Sequence, residues 1–264
     1  MDLSALSDQE RAACLIAERR LGVTAEAWDT GETPGVPDAR LHFPDGRTVA
    51  FEVTELVADG ARQTEELLYR DGNSWAAPGK WSWTVNVGSP RDLPRLRQAY
   101  RRIILACEAA GTPFPSRIAW GIESDDDVRW LVQDSSCSML GHPDVQSEPQ
   151  VMVVPKGGGG AVDSNLEGFS LALSEAFEQQ PHMERHFEKL RRASADERDL
   201  FIPVHQTGLN IGVTLGLMSS VDTLPQEHPP VPQFINRLWI APRFSRRVLL
   251  WTGGTGWDSF DPYN

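Results

Sequence analysis

The sequence predicts a mixed α/β fold, on three observations. Apolar residues recur at helical spacing in three long segments, the first of them framed by recognisable capping residues. Ten short runs show the alternation or the apolar content of strands. Two of those runs are joined by a three-residue loop ending in glycine, as a hairpin requires.

The first helix is expected over residues 7–21. Ser7 with Glu10 three positions on matches the capping box, and Gly22 supplies a left-handed stop. Strands are expected over 23–29, 39–43 and 48–56, with turn-rich residues 31–37 between the first two and Pro44-Asp45-Gly46 between the second and third. Residues 57–80 are polar and broken, with a short helix over 62–69. A strand over 81–87 precedes a second strong helix over 93–110, whose Leu96, Tyr100, Ile103, Ile104 and Cys107 fall on one stripe. Residues 117–123 and 128–134 read as strands around a turn at Asp125-Asp126-Asp127, and 151–154 as a short strand ending at Lys156 and four glycines. A long helix or helix pair is expected over 165–193, interrupted at Pro181. Residues 200–205, 237–241 and 248–252 read as strands, the first two buried. Between the first two, residues 206–233 form a long irregular connection, the length of a lid, an insertion or a misread element. No repeat and no clean linker interrupts the chain, so a single domain over 1–264 is expected.

Composition narrows the class. With 40% hydrophobic and 23% charged residues the chain has ordinary globular content, which excludes a disordered or fibrous protein. No apolar run is long enough to span a membrane and the first residues lack a secretion signal, so a cytoplasmic protein is expected. Three scattered cysteines, Cys14, Cys107 and Cys137, suit neither a disulfide frame nor a zinc site. The net charge of −12 disfavours loose attraction to nucleic acid while leaving room for a local basic groove.

The informative stretch is residues 36–54. Counting back from the hairpin loop puts Leu41 opposite Val49, Ala39 opposite Phe51 and Asp38 opposite Glu52. A one-residue slip would mismatch the apolar faces. Two carboxylates opposed across a strand pair repel unless something positive lies between them, and a hard cation held by oxygen ligands is a natural occupant. The bland alternative is a solvated hairpin face whose acids are partnered by Arg40 and Arg47.

Pro37-Asp38, the hairpin and Glu52-Val53-Thr54 resemble the PD-(D/E)xK nuclease superfamily, with its restriction-endonuclease-like fold. The resemblance implies an αβββαβ core over residues 7–123 and a C-terminal α/β elaboration over 124–264. It implies Asp38 and Glu52 as catalytic metal ligands for Mg²⁺ or Mn²⁺, and Glu18 as a third, helical ligand. Thr54 stands where the superfamily's lysine would polarise the phosphate, so the lysine would have to come from elsewhere: Lys80, Lys156 or, favoured beside Arg191-Arg192, Lys189. His42, on the Asp38 face of its strand, would position water or phosphate. Arg91, Arg95, Arg97, Arg101 and Arg102 line the exposed side of the second strong helix, with Arg97 and Arg101 as candidate phosphate contacts. The chain is more loosely similar to uncharacterised actinobacterial proteins with a Glu-Val-Thr strand, through Lys189-Leu190, residues 199–202, Leu238-Trp239 and Leu250-Trp251.

The activity implied is metal-dependent hydrolysis of a phosphodiester, with nucleic acid as partner, a homodimer to cut both strands, and a role in defence against foreign DNA by analogy. Two alternatives stand beside it: an inactive module on the same fold that binds nucleic acid or protein, and a metal-dependent hydrolase of a small phosphorylated substrate closed in by residues 206–233. Other motifs carry less. His182 and His186 have the i, i+4 spacing of a chelating pair without companion ligands. His205 reads as a satisfied polar residue, Lys156 with its glycines as a flexible turn, and Trp239, Trp251 and Trp257 as core aromatics.

Overall fold

In a computed structural model of the chain, which describes residues 3–31, 35–58, 60–70, 72–121, 125–143, 148–155, 162–219, 222–243 and 245–263, the first helix forms between the caps its sequence supplies. α1 (Asp8–Leu21) starts at Ser7, whose hydroxyl accepts the Glu10 N–H while the Glu10 carboxylate accepts the Ser7 N–H. It stops at Gly22, left-handed at φ 66°. Ser7→Ala is expected to lower stability by about 1 kcal/mol, read as a shifted urea midpoint at unchanged slope. An unmoved midpoint would mean that packing alone holds this helix end.

The remaining elements follow in order. They are β1 (Thr24–Ala27), β2 (Ala39–His42), β3 (Thr48–Val53), α2 (Ala61–Tyr69), β4 (Ser74–Ala76), β5 (Ser82–Val87) and α3 (Leu93–Ala109). Then come α4 (Asp126–Gln133), β6 (Ser138–His142), β7 (Gln150–Pro155), α5 (Phe169–Gln179), α6 (Met183–Arg192) and β8 (Glu197–Val204). α7 (Ile211–Ser219), β9 (Arg237–Pro242), β10 (Val248–Thr252) and β11 (Gly256–Phe260) complete the chain.

These elements fall into two compact units, Met1–Val57 with Gly159–Asn264, and Ala58–Gly158. The boundaries lie at residues 58 and 158, whereas the sequence predicts one domain divided at 123. In the first unit a seven-stranded sheet runs in the order β1-β2-β3-β8-β9-β10-β11. β1, β2 and β3 form an antiparallel meander, β8 lies parallel to β3 and to β9, and β10 and β11 return antiparallel. The hairpin register is the one the apolar pattern demands, Leu41 against Val49 and Ala39 against Phe51. Gly46 closes its loop at φ 89°, a conformation glycine reaches without strain.

β3 is interior to this sheet and its two faces meet two different cores. Val49, Phe51 and Val53 pack with Ala13, Cys14 and Ala17 of α1. Ala50 packs with Leu173 of α5 and with Met183 and Leu190 of α6. The face carrying Asp38 and Glu52, expected to lie away from the core, is therefore roofed by α6. On α1 the inward stripe is Ala13, Cys14 and Ala17, whereas Leu15 is 48% exposed.

The second unit has its own sheet, ordered β4-β7-β5-β6. Val85, Val151 and Val153 pack there with Leu96, Ile103, Ile104 and Cys107 of α3 and with Val128 and Leu131 of α4.

Three expectations are corrected. Residues 117–121 and 128–134 are not strands: Pro115–Arg117 is a 3₁₀ turn, and α4 occupies the second span, while residues 122 and 123 lie outside the described residues. The aspartate triplet is the start of a helix, with the Asp125 carboxylate accepting the Asp127 N–H at 2.7 Å and Asp126 and Asp127 in the positive first turn. The connection over 206–233 is not irregular throughout, because α7 lies within it and buries Val213 and Leu217 in the core of the first unit. The helix pair over 165–193 does break at Pro181, between α5 and α6.

Candidate active site

Asp38 and Glu52 meet as the register requires, and the backbone holds them together. The Asp38 N–H donates to Glu52 Oε2 at 3.2 Å, and the Val53 N–H donates to Asp38 Oδ2 at 2.7 Å. Asp38 is 7% exposed and Glu52 fully buried, so their charges face little water. Burial, reinforced by the neighbouring Glu52 charge, raises the Asp38 carboxyl to about 7, although the Val53 N–H and Lys189 pull it down.

The compensating charge comes from α6. Lys189 Nζ lies 2.9 Å from Glu52 Oε1 and 3.7 Å from Asp38 Oδ1, and His186 Nδ1 lies 2.5 Å from the same Glu52 oxygen. Burial works against the Lys189 charge, yet Glu52, Asp38 and Asp29 outweigh it and hold the ammonium above its ordinary range. The helix delivers these groups by its period. Met183, His186 and Lys189 are three residues apart, about 4.5 Å of rise per step, and follow one side of the helix down the face of β3. Met183 Sδ meets the Thr54 hydroxyl at 4.0 Å, one step beyond Glu52. Leu190, fully buried, anchors this end of the helix.

The other predicted site residues fall into distinct places. Thr54 is 5% exposed, gives its N–H to the Phe201 carbonyl, and packs under α6 without touching either acid. Lys189 rather than position 54 thus brings the ammonium to the two acids. Glu18 is not with them: its Oε1 accepts the Ala25 N–H at 2.7 Å, tying the start of β1 to α1. His42 lies four residues along the strand from Asp38 and bonds Glu26 at 3.1 Å across the β1–β2 pair. Arg97 and Arg101 belong to α3 in the second unit, where the Arg101 Nε donates to the Tyr100 hydroxyl at 3.1 Å. Lys80 belongs to the same unit, and Lys156 lies outside the described residues. The hairpin arginines do not neutralise the acids, since Arg40 stacks 3.8 Å from the Trp28 ring centroid and Arg47 pairs with Asp45 and Glu197.

His186 is the member of this cluster that its sequence context undervalues. Its spacing from His182 is visible, but its companion Glu52 is 134 positions away and no local pattern links them. The two histidine rings meet edge to face at 5.6 Å, and burial, with His186 and Arg185, lowers the His182 pKa. The cysteines stay apart from this chemistry: all three are free and buried, and burial raises the Cys14 and Cys107 thiols to about 12.

The donor set is compatible with a hard divalent cation but thin for one. Asp38 and Glu52 offer carboxylate oxygens, and Asp38 Oδ1 is the least engaged, its cationic neighbour being 3.7 Å away. Among the described residues no cluster of three or more His, Cys, Asp and Glu side chains forms a metal cage. A Mg²⁺ ion held by one or two carboxylates, with water and substrate phosphate completing its shell, fits such a pair.

Compared with known proteins, the chain matches no family model, and no curated protein or solved structure is significantly similar to it.

Proposed function

We propose that the first unit is a metal-dependent phosphodiester hydrolase of the nuclease type, acting through Asp38, Glu52 and Lys189. The observation that carries the reading is the convergence of two buried carboxylates and one ammonium, from the residue before β2, from β3 and from α6, the ammonium within 3.7 Å of both acids. The chain order gives further support. A helix, a three-stranded meander, a crossover through α5 and α6 and a strand parallel to β3 follow the order of an αβββαβ core with a helix pair as its second helix, residues 58–158 being inserted after its third strand.

Asp38 and Glu52 would hold Mg²⁺ or Mn²⁺, which when bound lowers the pKa of a coordinated water and stabilises charge on the phosphate. The protein groups act around that centre. The Val53 and Asp38 N–H groups orient the carboxylates, so the ligand oxygens are set before any cation arrives. Lys189 carries a full positive charge at neutral pH beside the acids, where it can neutralise a phosphate oxygen. His186 fixes the Glu52 oxygen that Lys189 also touches.

The test is titration of Mg²⁺ and Mn²⁺ into the wild type and Glu52→Gln, followed calorimetrically, beside cleavage of supercoiled plasmid. Binding with nicking in the wild type, and at least a hundredfold slower nicking in Glu52→Gln, is the expected outcome. Wild type that neither binds metal nor nicks would sink the reading. One observation favours a second reading, an inactive module on the same scaffold: Glu52 is fully buried and both its oxygens already have protein partners. That reading expects no nicking with any nucleic acid.

A further inference from the structure

The net charge conceals a division between the two units. The first unit carries 14 Lys and Arg against 24 Asp and Glu, net −10, and the second 11 against 13, net −2. Within the second unit α3 and the turn before it concentrate five arginines, Arg91, Arg95, Arg97, Arg101 and Arg102, all exposed. The opposite side of the helix, with Leu96, Ala99, Ile103 and Ile104, is buried in the core. The two acids of this span are turned away from the arginines: Asp92 bonds the Ser136 N–H and hydroxyl, and Glu108 bonds the N–H groups of Lys80 and Trp81 and the Trp83 indole.

Several of these arginines are held in ways that leave N–H groups to spare. Arg95 lies 4.5 Å from the Trp130 ring centroid, a contact that uses the flat face of the guanidinium and not its N–H edge. Arg101 gives its Nε to Tyr100 and keeps its terminal nitrogens for a partner. Arg102 is already paired with Asp127. Among the described residues no carboxylate pairs with Arg91, Arg95 or Arg101. Arg97 and Arg101, four apart, share one line of the helix, and Arg95 and Arg102 lie on the other flank of its exposed side, about 130° round. Guanidinium groups thus flank the exposed side of α3 on both edges, with no lysine among them, and each suits bidentate contact with phosphate oxygens.

We infer that the outer face of α3 is a binding track for the phosphate backbone of nucleic acid, and that the inserted unit supplies the affinity which the acidic first unit cannot. The inference rests on the nuclease reading for its choice of polymer, but its test does not depend on cleavage. A fluorescein-labelled 30-base-pair DNA is titrated with full-length protein in EDTA, so that no metal-dependent reaction proceeds, and anisotropy is followed from 50 to 200 mM salt. Arg97→Glu/Arg101→Glu is expected to bind at least tenfold more weakly, and its salt slope to fall by about 0.9 for each phosphate no longer neutralised. Arg97→Lys/Arg101→Lys, which keeps the charge, should retain most of the affinity and of the slope. Melting temperatures of both variants within a few degrees of wild type establish that they are folded. Equal affinity and slope in the charge-reversed variant, or no binding by the wild type at 50 mM salt, overturns the inference. Plasmid nicking with Mg²⁺, measured beside this binding assay, separates the two ideas. Arginine-dependent binding without plasmid nicking leaves the track standing and removes the nuclease, whereas nicking with arginine-independent binding does the reverse.

Discussion

Lys189→Met is expected to destabilise the protein by about 3–5 kcal/mol at pH 8, the cost of stripping one partner from a buried ion pair. The methionine keeps the aliphatic stem and removes the ammonium that lies 2.9 Å from Glu52. Glu52, fully buried, then faces Asp38 with only His186 opposite. The loss is not a measure of what the pair contributes, because much of it is the penalty of an orphaned charge. Lys189→Met/Glu52→Gln should therefore recover a large part of the stability, and the two substitutions should be strongly non-additive. Urea midpoints of the wild type, both single variants and the double variant decide it. Additive effects would mean that the ammonium and the carboxylate do not share the buried contact.

Stability in EDTA should fall as the pH rises from about 4 to about 7, against the usual trend for carboxylates. Asp38 is ordinarily near 3.8 but sits at about 7 in the folded chain, so between those values the folded state holds a proton that the unfolded chain has lost. The stabilisation is complete below about 4 and gone above about 7, on the order of 4 kcal/mol at 1.36 kcal/mol per unit. Asp199, raised to about 6 by burial against the pull of Arg237, acts in the same direction over a narrower window. Glu188, Asp45 and Asp196 are lowered, so their stabilisation is complete above about 4.5 and is lost only as the pH falls below that, outside the window in question. His182, lowered and more exposed, opposes the trend near neutrality. Asp38→Asn isolates the Asp38 contribution: its stability difference between pH 5 and pH 8 should be about 3 kcal/mol smaller than that of the wild type. Parallel pH profiles for the two proteins would show that Asp38 does not hold its proton to neutrality.

Local patterns alone determined a good deal of this protein. The caps of α1, the hairpin register, the opposition of Asp38 and Glu52, the arginine side of α3 and the break at Pro181 all follow from side chains within a few positions of one another, where period, turn chemistry and capping act directly. α7 is invisible in the sequence because Ile211–Ser219 is apolar nearly all round and offers no amphipathic stripe. α4 reads as a turn and a strand because an aspartate triplet suits a turn and a helix N-terminus equally well, and only the Asp125 cap distinguishes them.

Tertiary structure alone decided what surrounds the two acids. Nothing near residue 38 or 52 announces that β3 is interior, that its second face is a core, or that α6 lies across it. Those facts arise when β8, about 150 residues away in sequence, pairs parallel to β3 and the helix preceding it crosses over. The same packing took Glu18 to the start of β1, left Thr54 beneath Met183, and brought Lys189 and His186 to Glu52. Spacing along a chain sets which side chains share a strand or a helix face; which faces meet is set by the burial of apolar surface over the whole fold, and that choice carried the positive charge to the carboxylates.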